Sequence, residues 1–409
     1  MPVLKNIGYL ATCKDVGVQS DIHVIKNAAL AWKNDRITWV GKESDLSSQL
    51  KSGEIINADG KMVIPGLIDC HTHLVFDGWR SDEFEMRIQG KSYLDIARGG
   101  GGIASTVKNT REASFDKLLD QSLQFLDEIA LLGITAVEGK SGYGLDTENE
   151  LKILRVYQEI GKQHPVSIIP TFLGAHIVPK EFKNDRKRYI DLIEKEMIPT
   201  ISEQHLAEFC DVFVEDTAFS IEEARDIFQT AKKYGLIPKL HADQLTSTGG
   251  AELAAEVGAV SADHLECISD AGIDAMAKAG VCAVSLPLAT LYLNQKPMPA
   301  RKLMEAGVPV CVATDFNPGS APSYDLPLAL ILACNLQRMT PAESLKAATI
   351  YAAKAIRKDS IMGSLEPGKL ANFAIIDAPD VNHWMYHFRP NACIKTFIKG
   401  KEFKKRDIK

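Results

Sequence analysis

The chain has 409 residues, of which 45% are hydrophobic and 24% are charged, the balance of an ordinary globular protein. The net charge of -6 and the lack of a Lys/Arg stripe argue against a nucleic-acid surface. No apolar run is long enough to span a bilayer, and residues 1–10 do not resemble a signal peptide. The eight cysteines include no Cys-x-x-Cys pair, which favours reduced thiols and a cytoplasmic protein.

The first sixty residues predict short strands, with a hairpin formed by residues 29–32 and 37–40 around a turn at Asn34-Asp35. A different rhythm then begins, in which apolar, β-rich runs alternate with amphipathic helical stretches such as residues 148–160. The predicted strands of this region are residues 62–68, 136–138, 166–172, 210–214, 237–240, 259–262, 281–284 and 308–313.

Eight buried strands with helices between them predict an α/β fold, a (β/α)8 TIM barrel with parallel strands. The strand signal returns after the barrel, at residues 372–376 and 394–398. Both chain ends are therefore expected to build a smaller, β-sandwich-like domain. The predicted organisation assigns residues 1–62 and 359–409 to this small domain and residues 63–358 to the barrel.

A His-x-His pair, His71 and His73, ends the first predicted barrel strand. Residues two apart on an extended chain point to the same side, so both imidazoles can face one metal ion above the barrel mouth. A single histidine would more often be a satisfied core residue. The pair at a strand end favours metal ligation.

Two more candidate ligands end other strands at the same level, His241 on the fifth strand and Asp315 on the eighth. Three imidazoles and one carboxylate suit a borderline divalent ion such as zinc or iron and exclude a calcium-type oxygen cage. His264 ends the sixth strand. We predict that it carries protons or stabilises charge rather than binding the metal, with an interior, backbone-bonded histidine as the alternative.

Two segments that bracket the barrel, residues 63–73 and 368–377, resemble the amidohydrolase superfamily. Two-metal members of that superfamily generally carry a bridging carboxylated lysine on the fourth strand. The fourth strand here runs through residues 212–216 without a lysine. The resemblance therefore implies one metal ion per chain.

Longer segments resemble the imidazolonepropionase family within that superfamily, and the likeness covers nearly the whole chain. The segments are residues 76–80, 92–102, 138–144, 172–176, 241–244 and 315–320. The resemblance implies substrate-binding roles for Arg80, Tyr93, Tyr143, His176, Gln244, Asn317, Gly319 and Ser320.

These residue types fit a substrate that carries a carboxylate tail. Arg80 offers a bidentate fork for the carboxylate, and Tyr and His side chains add directional donors. Asn317 and Ser320, with the backbone N–H groups of their turn, can bind polar atoms of the opened product. Gln244 cannot shuttle a proton, which leaves His264 and Asp315 as the predicted catalytic residues.

The resemblance implies metal-dependent hydrolysis of the cyclic amide of 4-imidazolone-5-propanoate to N-formimidoyl-L-glutamate, a step of histidine degradation. The expected partner is this small molecule, without nucleic acid or membrane, and a homodimer is a candidate assembly. Two other classes stay open. A one-metal deaminase of a nucleobase or related ring would share the ligands and His264, and a non-catalytic scaffold would be expected to have lost ligands.

Overall fold

We describe a computed structural model that covers residues 1–51, 54–91, 101–387 and 389–406. Its strands are β1 Val3–Ala11, β2 Val24–Lys33, β3 Arg36–Lys42, β4 Ile55–Asn57, β5 Met62–Pro65, β6 Leu67–Thr72, β7 Ile134–Lys140, β8 Ser167–Ala175, β9 Phe209–Val214, β10 Ile237–Ala242, β11 Ser261–His264, β12 Cys282–Ser285, β13 Val310–Val312, β14 Phe373–Ile376, β15 Cys393–Ile398 and β16 Lys401–Glu402.

Strands β6 to β13 form one eight-stranded parallel sheet in sequence order. The chain after β13 returns to β6 and closes the barrel, since the Asp315 amide donates to the His71 carbonyl (3.0 Å) and the His73 amide to the Phe316 carbonyl (2.8 Å). The predicted barrel is thus confirmed, and its closing seam runs through three of the four predicted metal ligands.

The second sheet has the order β16-β15-β14-β5-β1-β2-β3, with β4 paired to β1, and it combines both ends of the chain. The predicted hairpin is β2 and β3, joined at Asn34, whose φ of 55° suits the turn. The residues of this sheet form a separate apolar core, in which the rings of Trp32, Phe373 and Phe397 contact one another. The expected small β unit from both chain ends is confirmed.

The run at residues 62–68, expected to be one barrel strand, is two strands. Met62–Pro65 pairs with β1 and β14 of the small sheet, whereas Leu67–Thr72 opens the barrel. Gly66 lies between them, and a Cβ there would come within 2.4 Å of the Thr135 side chain. The absence of a side chain at this position lets the chain pass from one sheet to the other.

Helices cover the outside of the barrel, and several begin at a capping side chain. Asp146 caps the helix Thr147–Gln163, and Ser220 with Glu223 forms a capping box on Ile221–Lys233. Among the described residues, no helix has the length and apolar character needed to cross a membrane. The helices are Ser48–Lys51, Ser81–Ile88, Ile103–Glu112, Phe115–Leu131, Thr147–Gln163, Arg186–Leu192, Ile198–Glu203, Ile221–Lys233, Gly250–Glu256, Asp270–Ala279, Pro287–Leu293, Ala300–Glu305, Leu326–Gln337, Pro341–Ala347, Ile350–Ala355 and Val381–Tyr386, with shorter turns at Glu43–Asp45, Lys180–Phe182 and Ile193–Met197.

Candidate metal centre and substrate pocket

The four predicted ligands meet at the carboxyl-terminal mouth of the barrel, all of them buried. Asp315 Oδ1 lies 3.3 Å from His71 Nε2 and 3.5 Å from His73 Nε2. His73 Nε2 lies 3.4 Å from His241 Nε2. Donor atoms at about 2.0–2.2 Å from a tetrahedral ion stand about 3.3–3.5 Å from one another. The spacing of these donors therefore fits a zinc-sized ion at their centre.

Carboxylates lie behind two of the ligands. His71 Nδ1 donates to Asp263 Oδ2 at 2.6 Å, whereas His241 Nδ1 lies 3.0 Å from Asp211 Oδ2 without a hydrogen bond to any described residue. The proton on His71 Nδ1 leaves its Nε2 lone pair free, and that Nε2 is buried without a hydrogen-bond partner among the described residues. Orphaned lone pairs that face each other in a dry pocket indicate a cation site.

Burial, followed by nearby positive charges, sets the protonation of these rings. It lowers the pKa of His71, His73 and His241 well below the ordinary 6.5. The rings are therefore neutral at physiological pH, the form in which imidazole binds a metal. The donor set fits a borderline divalent ion such as zinc or iron.

Asp315 begins the loop that follows β13, and its backbone has a φ of 58°, in the left-handed region that non-glycine residues rarely adopt. Burial raises the pKa of its carboxyl to about 6. A bound cation would favour the ionised form and reverse that direction. Strained backbone of this kind persists where surrounding structure enforces it, often at functional sites.

His264 lies at the same mouth, and its ring centroid is 5.4 Å from that of His241 and 5.8 Å from that of His71. With those two it forms a second group whose donor atoms lie within 4.8 Å of one another. Burial lowers the pKa of His264, but the interaction with Glu266 at 3.7 Å, together with the charges of Asp315 and Asp263, raises it overall. Its predicted role as a proton carrier outside the ligand set stays a prediction.

Two predicted substrate residues stand beside the ligands. His176 stacks on His73 (5.3 Å between centroids, 16° between planes), and Tyr143 contacts both rings. His176 Nδ1 donates to the Gly142 carbonyl at 3.0 Å, and burial lowers the pKa of His176 to about 4. Its Nε2 is thus a hydrogen-bond acceptor, whereas the sequence argument expected a donor.

Arg80 and Gly319 are in contact across the pocket. The Arg80 side chain is only 9% exposed and lies 3.8 Å from Glu83. A Cβ at Gly319 would stand 1.1 Å from Arg80 Nη2, so only glycine leaves room for the guanidinium. Among the described residues, Arg80 Nε has no hydrogen-bond partner. A buried cation with an unused donor is ready for an anionic group.

The loop from Asp315 to Ser320 is organised by Asn317. Its Oδ1 accepts from the amides of Gly319 and Ser320 (both 2.8 Å), and its Nδ2 donates to the Asp315 carbonyl (2.6 Å). Ser320 Oγ also faces Asp315 Oδ2 at 3.4 Å. In this arrangement the Asn317 side chain shapes the loop that carries Asp315 and the seat of Arg80.

Gln244 and Tyr93 are the remaining predicted substrate residues. Gln244 is half-buried in the turn after β10, which Asp243 fixes by accepting from the amides of Thr248 and Ala251 (2.9 and 3.0 Å). Tyr93 and the first two of the four glycines Gly99–Gly102 lie outside the described residues.

Sequence reasoning missed the carboxylates behind the ligands. Asp211 and Asp263 are single acidic residues inside short buried strands, and both are fully buried. A charged residue within a strand expected to be buried on both faces was the available signal, since such a residue needs a partner. Lys140, Lys239 and Glu138 gave the same signal.

Comparison with known proteins identifies the family of this chain. The Amidohydrolase family matches residues 62–403. An imidazolonepropionase of Geobacillus kaustophilus is 48% identical over 385 residues, covering 93% of this chain and 91% of its own length. One of Fusobacterium nucleatum is 44% identical over 404 residues, covering 98% of each chain.

Among solved structures, a variant of the atrazine chlorohydrolase TrzN of Arthrobacter aurescens, complexed with zinc and atraton, superposes with a TM-score of 0.74 at 17% identity, covering 98% of this chain and 95% of that one. At that identity the likeness bears on the fold alone. The predicted hydrolase class and the family resemblance are confirmed. The chain belongs to the amidohydrolase family and, within it, to the imidazolonepropionases.

Proposed function

We propose that this protein hydrolyses the cyclic amide of 4-imidazolone-5-propanoate to N-formimidoyl-L-glutamate. One observation carries the proposal: a buried site with three imidazole nitrogens and one carboxylate oxygen shares the Asp315–Ser320 loop with a buried arginine that has an unused donor. The first part serves ring hydrolysis and the second part serves the propanoate tail.

The reaction adds one water across one carbon–nitrogen bond. The water oxygen bonds to the ring carbonyl carbon, and the bond from that carbon to the ring nitrogen breaks. One water proton ends on the departing nitrogen and the other is released as the new carboxylic acid ionises. The product keeps both ring nitrogens, so no ammonia forms.

His71, His73, His241 and Asp315 would hold one zinc or iron ion. When bound, the ion supplies Lewis acidity, which makes water nucleophilic near neutral pH. Asp315 has Oδ1 toward the histidines, and its Oδ2, which accepts only a long hydrogen bond from Ser320 Oγ (3.4 Å), would pass a proton to the leaving nitrogen. His264 orients or deprotonates the water, or donates to the developing oxyanion.

The pocket residues orient the substrate. Arg80 binds the propanoate carboxylate with its guanidinium, whose Nε is an unused donor. His176 accepts a hydrogen bond from a ring N–H through Nε2, because its Nδ1 proton is held by Gly142. Tyr143 lies beside the His176 ring and packs against the plane of the substrate ring. The proposal places the enzyme in the cytoplasm, where its eight free thiols would stay reduced.

The test is turnover of 4-imidazolone-5-propanoate by the metal-loaded protein in ¹⁸O-labelled water, with the product identified by mass. The proposal expects N-formimidoyl-L-glutamate that carries one labelled oxygen in the new carboxylate, with no ammonia. Ammonia release from this ring or from nucleobases would favour a deaminase instead. No conversion of the ring by the metal-loaded protein would overturn the proposal.

A further inference from the structure

Five ionisable side chains form a closed charge cluster under the metal site. All are fully buried: Glu138, Lys140, Asp211, Lys239 and Asp263. They come from four of the barrel strands, so they meet on the barrel axis directly below the ligands. Buried charges are costly unless paired, and they mark positions where the fold requires a charge.

Lys140 lies between the two carboxylates that face metal-ligand histidines. Its ammonium lies 2.7 Å from Asp211 Oδ2 and 3.2 Å from Asp263 Oδ2. Those same two oxygens face the Nδ1 atoms of His241 (3.0 Å) and His71 (2.6 Å). One ammonium therefore stands directly behind two of the metal ligands, one atom removed from each.

We propose that Lys140 is a positioning residue for the metal centre. Its ammonium separates two like-charged carboxylates and fixes both the oxygen that accepts from His71 Nδ1 and the oxygen that faces His241 Nδ1. Without it, Asp211 and Asp263 would repel each other in a buried interior and move from the imidazoles. His71 would then lose its hydrogen-bond partner and its defined tautomer, and His241 would lose the carboxylate that faces it.

The cluster supplies its own control, Lys239. This ammonium is equally buried and contacts Glu138 Oε2 (2.7 Å) and the Ala355 carbonyl (3.2 Å). Glu138 is held further by Lys140 (3.0 Å) and the Thr171 hydroxyl (2.6 Å). Lys239 thus belongs to the same cluster but contacts neither carboxylate that faces a ligand. Its removal takes away the same charge and volume without releasing the imidazoles.

The experiment compares Lys140→Met with Lys239→Met. Metal affinity is measured by chelator competition, and the visible spectrum of the Co²⁺-substituted protein reports ligand geometry. Lys140→Met should weaken metal affinity by roughly 10- to 100-fold, the usual effect of losing an outer-shell partner, and should change the Co²⁺ spectrum. Lys239→Met should keep the spectrum and lose affinity by less than about threefold, since no contact to the ligand-facing carboxylates is removed.

Unchanged affinity and spectrum in folded Lys140→Met, or equal losses in both variants, would overturn the inference. If Lys140→Met does not fold, Lys140→Gln keeps a hydrogen-bond donor without the charge, and native affinity in that variant would overturn it too. The inference rests on the proposed metal site and not on the substrate. If the unmodified protein holds no ion tightly, the proposed function itself fails. If the unmodified protein holds an ion tightly and Lys140→Met holds it with the same affinity, only the role of Lys140 fails.

Discussion

At the scale of single residues, His264 lies where it could act either at the metal or beside it. Glu266 faces its Nδ1 at 3.7 Å. The ring also lies in one donor group with His71 and His241. A fifth protein ligand would crowd out the water that hydrolysis needs, which favours a role beside the metal.

Substitution of His264 separates these roles. His264→Ala should keep about one metal ion per chain but lose roughly 10²- to 10⁴-fold in kcat, the range for a positioned acid–base group. His264→Asn can donate a hydrogen bond but cannot carry a proton at neutral pH, so recovery in that variant would indicate oxyanion stabilisation. Steady-state kinetics with metal analysis measures both. Loss of the metal from the Ala variant would show that His264 is a ligand.

Arg80 should read the carboxylate tail of the substrate. Arg80→Ala should keep the metal and lower kcat/KM by roughly 30- to 150-fold, the equivalent of a lost charge-assisted bond worth about 2–3 kcal/mol. Gly319→Ala should act in the same direction, because the new Cβ would displace the guanidinium. Arg225→Ala is the control, because Arg225 lies on the helix Ile221–Lys233 and pairs with Glu256 at 2.6 Å rather than with a pocket residue.

An analogue that lacks the carboxylate decides the interpretation of these Arg80 kinetics. The unmodified protein should turn it over slowly, and Arg80→Ala should lower kcat/KM for this analogue little further. An equal loss for substrate and analogue would show that Arg80 does not read the tail.

The His-x-His pair was predictable because residues two apart at a strand end point to the same side and can bind one metal ion. Asp315 and His241 followed from the same rule. Asp211 and Asp263 were not identified, because one acidic residue in a short apolar strand does not reveal which partner it faces across the barrel. Asp211 and Asp263 meet Lys140 only when the eight strands close into a barrel, so this cluster cannot be recognised in the sequence.

At the scale of secondary-structure elements, the strands were predictable from apolar runs and the sheet to which each belongs was not. Met62–Pro65 and Leu67–Thr72 are both fully buried, and one apolar run, broken only by Gly66, continues from Met62 to Ile68. Hydrophobic pattern therefore could not show that the chain changes sheets at Gly66. The amphipathic helix at Thr147–Gln163 was predictable, since its period is fixed by one buried face.

Lys152, on that helix, closes the end of another helix, Ile103–Glu112. Its ammonium donates to the carbonyls of Thr110, Arg111 and Ala113 at 2.8–3.0 Å. Lys152→Met should ease local opening of that helix by about 1–3 kcal/mol, the cost of unsatisfied carbonyls. Hydrogen exchange at residues 103–113 measures the change. The exposed Lys162→Met on the same helix should change exchange little, and equal effects would contradict the capping role.

At the scale of the whole molecule, the segment between β1 and β2 ties the small sheet to the barrel. The Lys346 ammonium, from the helix Pro341–Ala347, donates to the carbonyls of Val16, Val18 and Asp21 at 2.9–3.1 Å. Gln19 Nε2 donates to the Val310 carbonyl at 2.8 Å. No sequence pattern marks such contacts, which join residues more than 290 positions apart.

Lys346→Met should release this segment without touching the metal centre. The expected cost is about 1–3 kcal/mol, since three carbonyls lose a charged donor, and the segment should become cleavable by protease between residues 12 and 23. Lys354→Met, which removes the half-exposed pair with Asp15 and a contact with the Tyr351 ring, is the control. Protease resistance equal to that of the unmodified protein would contradict the role of Lys346.

The proposed mechanism requires one ion held by His71, His73, His241 and Asp315 for ring hydrolysis. Its most direct test is to strip the metal, return zinc or iron stepwise, and follow both bound metal and turnover of 4-imidazolone-5-propanoate. Activity should be absent at the start, rise in proportion to bound metal and level off at one equivalent per chain, and His71→Ala should show no such rise. Full activity in the stripped protein, or a plateau at two equivalents, would contradict the account.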